Sequence, residues 1–162
     1  MENSIIHKTL IIVNPVAGDG QAEKRWQDFE NQLKQAQISY QAVITEYQNH
    51  ATELISEAIS SGYNRIGVFS GDGTLNEVLQ GLYKDDHILS DDLKLIFFPA
   101  GSSCDFEKKF KNQRSPIERI EADDSVSIDV FKVECQNFSG KQISRYIINN
   151  SSIGIISQAN EK

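Results

Sequence analysis

The stretch Val68-Phe69-Ser70-Gly71-Asp72-Gly73-Thr74-Leu75-Asn76-Glu77-Val78-Leu79 runs from an apolar strand through Gly-Asp-Gly-Thr into a helix. A helix that starts in such a turn leaves its first N–H groups without intrahelical partners, at the positive end of the helix dipole. Phosphate binds at points of that kind. Gly71 and Gly73 let the main chain come close to a ligand. Asp72 sits between them, where a carboxylate could handle a metal ion. Thr74 and Glu77 also fit a Thr-x-x-Glu capping box, which assigns Glu77 a structural part and is worth about 1 kcal/mol for the cap.

Two further loops end strands in the same manner. Asn14-Pro15-Val16-Ala17-Gly18-Asp19-Gly20 is rich in turn residues. It suits a connecting loop as well as a ligand loop. No Gly-Lys-Ser or Gly-Lys-Thr follows at the spacing of a Walker A motif, which disfavours a conventional P-loop NTPase. In Pro99-Ala100-Gly101-Ser102-Ser103-Cys104-Asp105-Phe106 the two hydroxyls can cap a short helix or bond phosphate oxygens. Asp105 suits a first helical turn in either case. Next to the Gly-Asp-Gly-Thr turn, a site shared by both is expected.

Other chemistries find little support. His7, His50 and His87 show no metal-ligand spacing, and no Ser-His-Asp arrangement can be argued. Cys104 and Cys135 form neither a disulfide framework nor a zinc pattern, which points to a reducing, cytoplasmic setting. The net charge of −7 argues against nucleic acid as a partner. The basic run Lys108-Lys109-Phe110-Lys111 with Arg114 reads first as a solvated helix end. No apolar run approaches the ~20 residues of a membrane span, so lipid contact would be peripheral. Trp26 and the phenylalanines at 29, 69, 97, 98 and 106 read as core.

The elements that must hold these loops alternate. Strands are predicted at 9–13, 39–45, 65–69 and 93–98. Helices are predicted at about 21–36 and 50–61, after the Gly-Asp-Gly-Thr turn, and near Ser102 or Ser103. Ala22, Trp26, Phe29, Leu33 and Ala36 draw one apolar stripe, and Gly62 suits a helix stop. Residues 84–92 read as a polar surface loop, and a short helix is placed around 117–120. From 126 the pattern changes to two strands, 126–134 and 143–149, joined as a hairpin. The fold class is α/β: an open, mostly parallel sheet with helices on both faces as three layers, followed by a β-hairpin. Residues 1–124 form the α/β domain, and 125–162 the hairpin and the start of a crossing. Ligands of such sheets bind outside the carboxyl ends of the strands.

Three ordered signatures, Asn14-Pro15-Val16-Ala17-Gly18, Ser70 through Val78 and Pro99 through Phe106, resemble those of the diacylglycerol kinase catalytic-domain family, which includes sphingosine and ceramide kinases. Thr45-Glu46 with His50-Ala51, and Ser127-Ile128-Asp129-Val130, are similar to further segments of it. The resemblance covers about residues 9–155. It implies transfer of the γ-phosphoryl of ATP to a lipid hydroxyl, of a diacylglycerol or sphingoid type, with Mg2+. By position it implies nucleotide contacts at Asn14, Thr45, Ser70, Gly71, Asp72, Gly73, Thr74, Asn76, Gly101 and Ser102. Asp72, Asp105 and Asp129 would organise the metal, in part through water. A homodimer is compatible with it.

Three positions depart from the family pattern. Ser70 replaces a glycine, as in the sphingosine kinase branch. Ser102 replaces a threonine and keeps the hydroxyl. Cys104 replaces an asparagine and loses its amide. In the family a β-rich second domain carries the lipid cleft and an acidic catalytic base. Asn149 through Ile155 resembles the crossing into it, so these 162 residues are expected to be inactive alone. An NAD kinase-like enzyme shares the fold and the Gly-Asp-Gly-Thr turn, but the first and third signatures argue against it. A non-catalytic nucleotide-binding module is the other alternative.

Overall fold

A computed structural model of the 162-residue chain describes residues 8–110 and 114–148. Two compact units divide it, Met1–Val126 and Ser127–Lys162.

The first unit is built on β1 (Thr9–Val13), β2 (Gln41–Ile44), β3 (Arg65–Ser70) and β6 (Lys94–Pro99), in the parallel order β2-β1-β3-β6. β1 and β3 are central and buried along their whole length, which is why their sequences read as unbroken apolar runs. β2 lies at an edge and is mostly exposed. Helix α1 (Gln21–Gln35) covers one face. Its buried stripe of Ala22, Trp26, Phe29 and Leu33 meets Ile11, Val13, Phe69 and Phe98. The rings interlock, with Trp26 and Phe69 centroids 5.4 Å apart and Phe29 and Phe98 4.8 Å apart. Burial of each such side chain contributes about 1.5–3 kcal/mol. Gly67 leaves room for this layer: a methyl group there would stand 2.9 Å from the Phe98 ring.

The opposite face belongs to α2 (His50–Ser60) and α3 (Asp72–Gly81). The chain runs from β1 to β2 in one direction and from β2 back past β1 to β3 in the other. Right-handed crossovers taken in opposite directions put their helices on opposite faces. α2 and α3 pack closely. Thr52 Oγ1 donates to the Glu77 carbonyl at 2.8 Å, and Ser56 Oγ to the Gly81 carbonyl at 3.1 Å. Gly62 ends α2 at φ 77°, while Tyr63 N–H bonds back to the Ala58 carbonyl at 3.0 Å, the glycine stop expected there.

Local details differ from expectation. α3 begins at Asp72 with Gly71 as its N-cap, so Thr74 lies inside the first turn and forms no capping box with Glu77. A complete capping box stands instead at Ser115 and Glu118, on α5 (Pro116–Glu121). Residues 84–92 are not all loop: β4 (Tyr83–Lys84) and β5 (His87–Ile88) pair as a small antiparallel ribbon. The third turn's helix, α4 (Asp105–Lys108), starts later than the serines suggested.

α5 is pinned at the amino-terminal edge of the sheet. The buried Arg65 guanidinium donates to the Ile120 carbonyl at 2.5 Å and to Asp123 Oδ1 at 2.6 Å, and Lys94 Nζ bonds the Asp123 carbonyl. The second unit is a hairpin of β7 (Phe131–Gln136) and β8 (Gln142–Ile147), registered from Phe131 opposite Ile147 to Gln136 opposite Gln142. β7 starts five residues later than the sequence pattern placed it. Asn149 and the crossing through Ile155 lie outside the described residues.

Gly81→Ala should destabilise the first unit. The added methyl group would overlap Ile55 Cγ2 and the Thr52 carbonyl oxygen, and overpacking of that kind costs about 1–3 kcal/mol. Urea denaturation should show a lower midpoint. An unchanged midpoint would refute the close α2–α3 approach.

Candidate functional site

The order in which the chain adds its parallel strands reverses between β1 and β3, and such a switch point opens a crevice at the carboxyl ends of the strands. Three loops converge there. The ladder extends one residue beyond the strands: Asn14 N–H bonds the Phe69 carbonyl at 3.0 Å and Ala100 N–H bonds the Ser70 carbonyl at 2.8 Å. Asn14 then ties two loops. Its Oδ1 accepts from Val16 N–H at 3.1 Å, and its Nδ2 donates to the buried Thr74 Oγ1 at 2.8 Å.

Glycines let these loops touch main chain to main chain. A methyl group on Gly101 would lie 2.6 Å from Gly71 Cα, and one on Gly18 would lie 2.6 Å from the Ala100 carbonyl oxygen. Gly18 also holds φ at 60°, a region that side chains disfavour. Gly71 is extended, at φ −91° and ψ −178°. Its lack of a side chain therefore serves the approach of Gly101, not an unusual backbone angle.

Asp72 closes the arrangement. Its Oδ2 accepts from Asp105 N–H at 2.7 Å and its Oδ1 from Phe106 N–H at 3.0 Å. These are the first donors of α4, so the carboxylate caps a helix that belongs to a different loop. The serine hydroxyls do not form that cap, although Ser103 Oγ lies 3.5 Å from Asp72 Oδ2. An ionised acceptor facing two N–H groups makes the stronger class of hydrogen bond.

The loops enclose a cleft of ≈ 340 Å³ lined by Asn14, Gly18, Gly71, Asp72, Gly73, Thr74, Glu77, Gly101 and Ser102, together with Ala17, Ser103 and Cys104. No side chain caps the start of α3. Open space lies where a Gly73 side chain would be. No lysine or arginine is among the described residues lining the cleft. The cleft thus joins amide donors and a helix N-terminus to the carboxylates of Asp72 and Glu77. That set suits a polyphosphate and a divalent cation together: amides for oxygens, carboxylates for metal or its waters.

Of the residues singled out in the sequence, Asn14, Gly71, Asp72, Gly73, Thr74, Gly101 and Ser102 meet here. Ser70 is fully buried behind the cleft, with its Oγ donating to the Gly71 carbonyl at 2.9 Å. Thr45 is held at the same edge by its N–H on the Val13 carbonyl at 2.8 Å but does not line the cleft. Asn76 is exposed and bonds Gln80 on the outer side of α3. Asp105 Oδ1 is paired with Lys108 Nζ at 2.8 Å. Asp129 belongs to the second unit, where it is exposed ahead of β7. Among the described residues no group of three or more His, Cys, Asp or Glu stands in metal-holding geometry. Glu77 is the lining residue that capping logic had set aside. Its spacing of three from Thr74 and four from Gly73 places it on their face of the helix.

Cys104 is the N-cap of α4 at φ 47° and ψ 51°, the left-handed region that asparagine tolerates better than most residues. Its Sγ donates to the Gly101 carbonyl at 3.4 Å. Burial pushes the thiol above its ordinary range, and nearby Asp72 adds to the rise.

The family model described as the diacylglycerol kinase catalytic domain matches residues 8–133. The Bacillus subtilis protein named "Putative lipid kinase YtlR" is 31% identical over 157 residues, which are 93% of this chain and 49% of that protein. Sphingosine kinase 1 of Rattus norvegicus is 37% identical over 76 residues, 46% of this chain and 20% of the kinase. The crystal structure of a diacylglycerol kinase from Bacillus anthracis superposes with a TM-score of 0.52 at 31% identity, over 63% of this chain and 37% of that one. The chain therefore spans half or less of the length of these relatives.

Two outcomes follow from the geometry. Asp72→Asn replaces one acceptor by a donor that faces an N–H, which should cost about 1–3 kcal/mol and lower the melting temperature. An unchanged melt would contradict the cap. The raised thiol leaves Cys104 protonated further up the pH scale, so its alkylation by iodoacetamide at pH 8 should trail that of the exposed Cys135. Equal rates in a mass-spectrometric time course would contradict the burial.

Proposed function

Because the chain belongs to the diacylglycerol kinase catalytic-domain family, we propose that its cleft holds the phosphates of ATP with magnesium for γ-phosphoryl transfer to a lipid hydroxyl. The single observation that supports this most is the cleft's composition. An uncapped helix N-terminus attracts anions, yet the side chains beside it are two carboxylates and no lining lysine or arginine. A phosphate and a carboxylate share such a space when a cation stands between them.

Each residue then has a task. The first amides of α3 and the glycine backbones at 71, 73 and 101 donate to phosphate oxygens. Asn14 and Thr74 hold the cleft wall by their mutual hydrogen bond, and Ser102 offers a hydroxyl at the mouth. Ser70 supports the turn from behind. Thr45, further along the same edge, is assigned to the nucleotide beyond its phosphates. Asp72 faces the metal's water shell, with Asp105 acting through water and Glu77 as a third acidic group. Magnesium, when bound, neutralises phosphate charge, the main need of phosphoryl transfer. The lipid class is a diacylglycerol or a sphingoid base, met peripherally at a membrane surface from the cytoplasmic side. Among the described residues no helix is long and apolar enough to cross a membrane.

Isothermal titration of the chain with MgATP tests the binding step. Saturable heat that disappears on chelation of magnesium is expected, and no heat at millimolar nucleotide would overturn the proposal. Incubation with labelled ATP and either diacylglycerol or sphingosine in mixed micelles then tests transfer. Binding without transfer to either lipid agrees with the inactivity expected of these residues alone, label on either lipid would extend the proposal to catalysis, and NADP formed from NAD and ATP would overturn it in favour of the other kinase chemistry.

Gly73→Val should separate ligand space from fold. Position 73 is helical with open space around it, so the melting temperature should hold. MgATP affinity should drop by about tenfold or more, equivalent to at least ~1.4 kcal/mol. Equal loss of stability and affinity would count against the cleft as the nucleotide site.

A further inference from the structure

We infer that Arg119, which does not line the cleft, is a positioning residue for it, acting through Glu107 and α4 on the Asp72 carboxylate. The inference rests on the nucleotide-site reading above and adds a residue that the glycine-rich loops do not contain.

The chain of contacts is short. Arg119 lies on α5 and is mostly buried, at 13% side-chain exposure, against 22% for its partner Glu107. Its Nη2 donates to Glu107 Oε1 at 2.5 Å, its Nη1 to the Phe97 carbonyl of β6 at 3.0 Å and its Nε to the Arg114 carbonyl at 3.2 Å. The guanidinium fork thus locks one strand, one loop and one helix together, a geometry that lysine cannot reproduce. Glu107 lies in the four-residue α4. A helix of that length has almost no stability of its own, so its orientation must come from outside contacts. Two kinds of polar contact hold it among the described residues. Asp72 accepts the Asp105 and Phe106 N–H groups at the start, and Arg119 holds Glu107 later in the same turn. The apolar support is the edge-on contact of Phe106 with Phe97, whose centroids are 5.8 Å apart.

α5 can bear this load because it is itself fixed. Ile120 is buried in the core, Arg65 grips the Ile120 carbonyl and Asp123, and the Ser115–Glu118 capping box closes its start. Without Arg119, α4 loses its anchor, and the two N–H groups that orient Asp72 lose their fixed direction. The carboxylate then turns among several rotamers instead of facing the cleft in one. Charge-assisted bonds in a half-buried place are sensitive to such a loss.

The test uses the full chain and two readouts. Arg119→Met should raise hydrogen exchange at the Asp105 and Phe106 amides and weaken MgATP binding by about tenfold. Glu107→Gln retains a neutral acceptor, so it should give a smaller change in the same direction. Ser115→Ala is the structural control: it removes one cap bond at the start of α5 and leaves the Ile120 and Arg65 anchors, the Arg119 fork and α4 in place, so both readouts should stay near wild type. Unchanged exchange at Asp105 and Phe106 in Arg119→Met would overturn the inference. So would raised exchange with unchanged affinity, or Ser115→Ala matching Arg119→Met. Absence of MgATP binding by the wild-type chain would defeat the nucleotide reading, a failure visible apart from the exchange result. If Arg119→Met does not fold, Glu107→Gln carries the same comparison.

Discussion

The interaction on which the site depends is the pair of hydrogen bonds that the start of α4 donates to Asp72. Glycine contacts bring the second and third loops side by side, but van der Waals approach does not fix their orientation. Two hydrogen bonds donated by backbone N–H groups to one carboxylate, at 2.7 and 3.0 Å, do. They convert neighbouring turns into a single wall. They also set the direction of a negative charge at the mouth of an anion-attracting helix end. Structure and chemistry therefore compete for the same two oxygens. Oδ1 keeps a further lone pair, while Oδ2 takes besides, among the described residues, only the long bond from Ser103 Oγ at 3.5 Å; in the proposed site that remaining capacity is what would let Asp72 brace α4 and face a hydrated cation together.

Much of the fold was legible because periodicity reports burial. Strands 9–13 and 65–70 sit inside the sheet, so both faces are apolar and the runs are unbroken. The stripe at Ala22, Trp26, Phe29 and Leu33 is the imprint of one helix on one sheet face. Boundaries were less legible where a tertiary partner sets them. Thr74 looks like a cap in isolation. In the folded chain its hydroxyl accepts from Asn14, sixty positions away, and the helix begins three residues earlier than a Thr74 cap would start it. The ribbon at Tyr83–Ile88 escaped notice because strands of two residues carry no pattern. The Ser115–Glu118 box was readable in principle, as Ser-x-x-Glu with proline at the first helical position.

The candidate site was legible in its turns and not in its cross-links. Gly-Asp-Gly-Thr after an apolar run indicates an anion-binding helix start from local rules alone, and the loops after β1 and β6 add to it by topology. Which oxygen of Asp72 meets which amide, and that Glu77 faces inward while Asn76 faces out, depend on where the helix starts. The proposed metal set fares differently by residue. Asp72 lines the cleft, Asp105 is paired with Lys108, and Asp129 stands in the other unit. Spacing along the chain cannot rank three carboxylates whose surroundings are set by different neighbours.

The contact between Gly71 and Gly101 has a consequence for how an incoming anion is received. Because the floor there is peptide backbone resting on peptide backbone, with no side chain to swing aside, its shape exists before anything arrives. Ordering costs of that surface are met during folding and not at the encounter. A guest would surrender its own torsional freedom and shed water, while the host changes little. Capture should then be quick and set by diffusion, and selectivity would lie in how fast different guests depart.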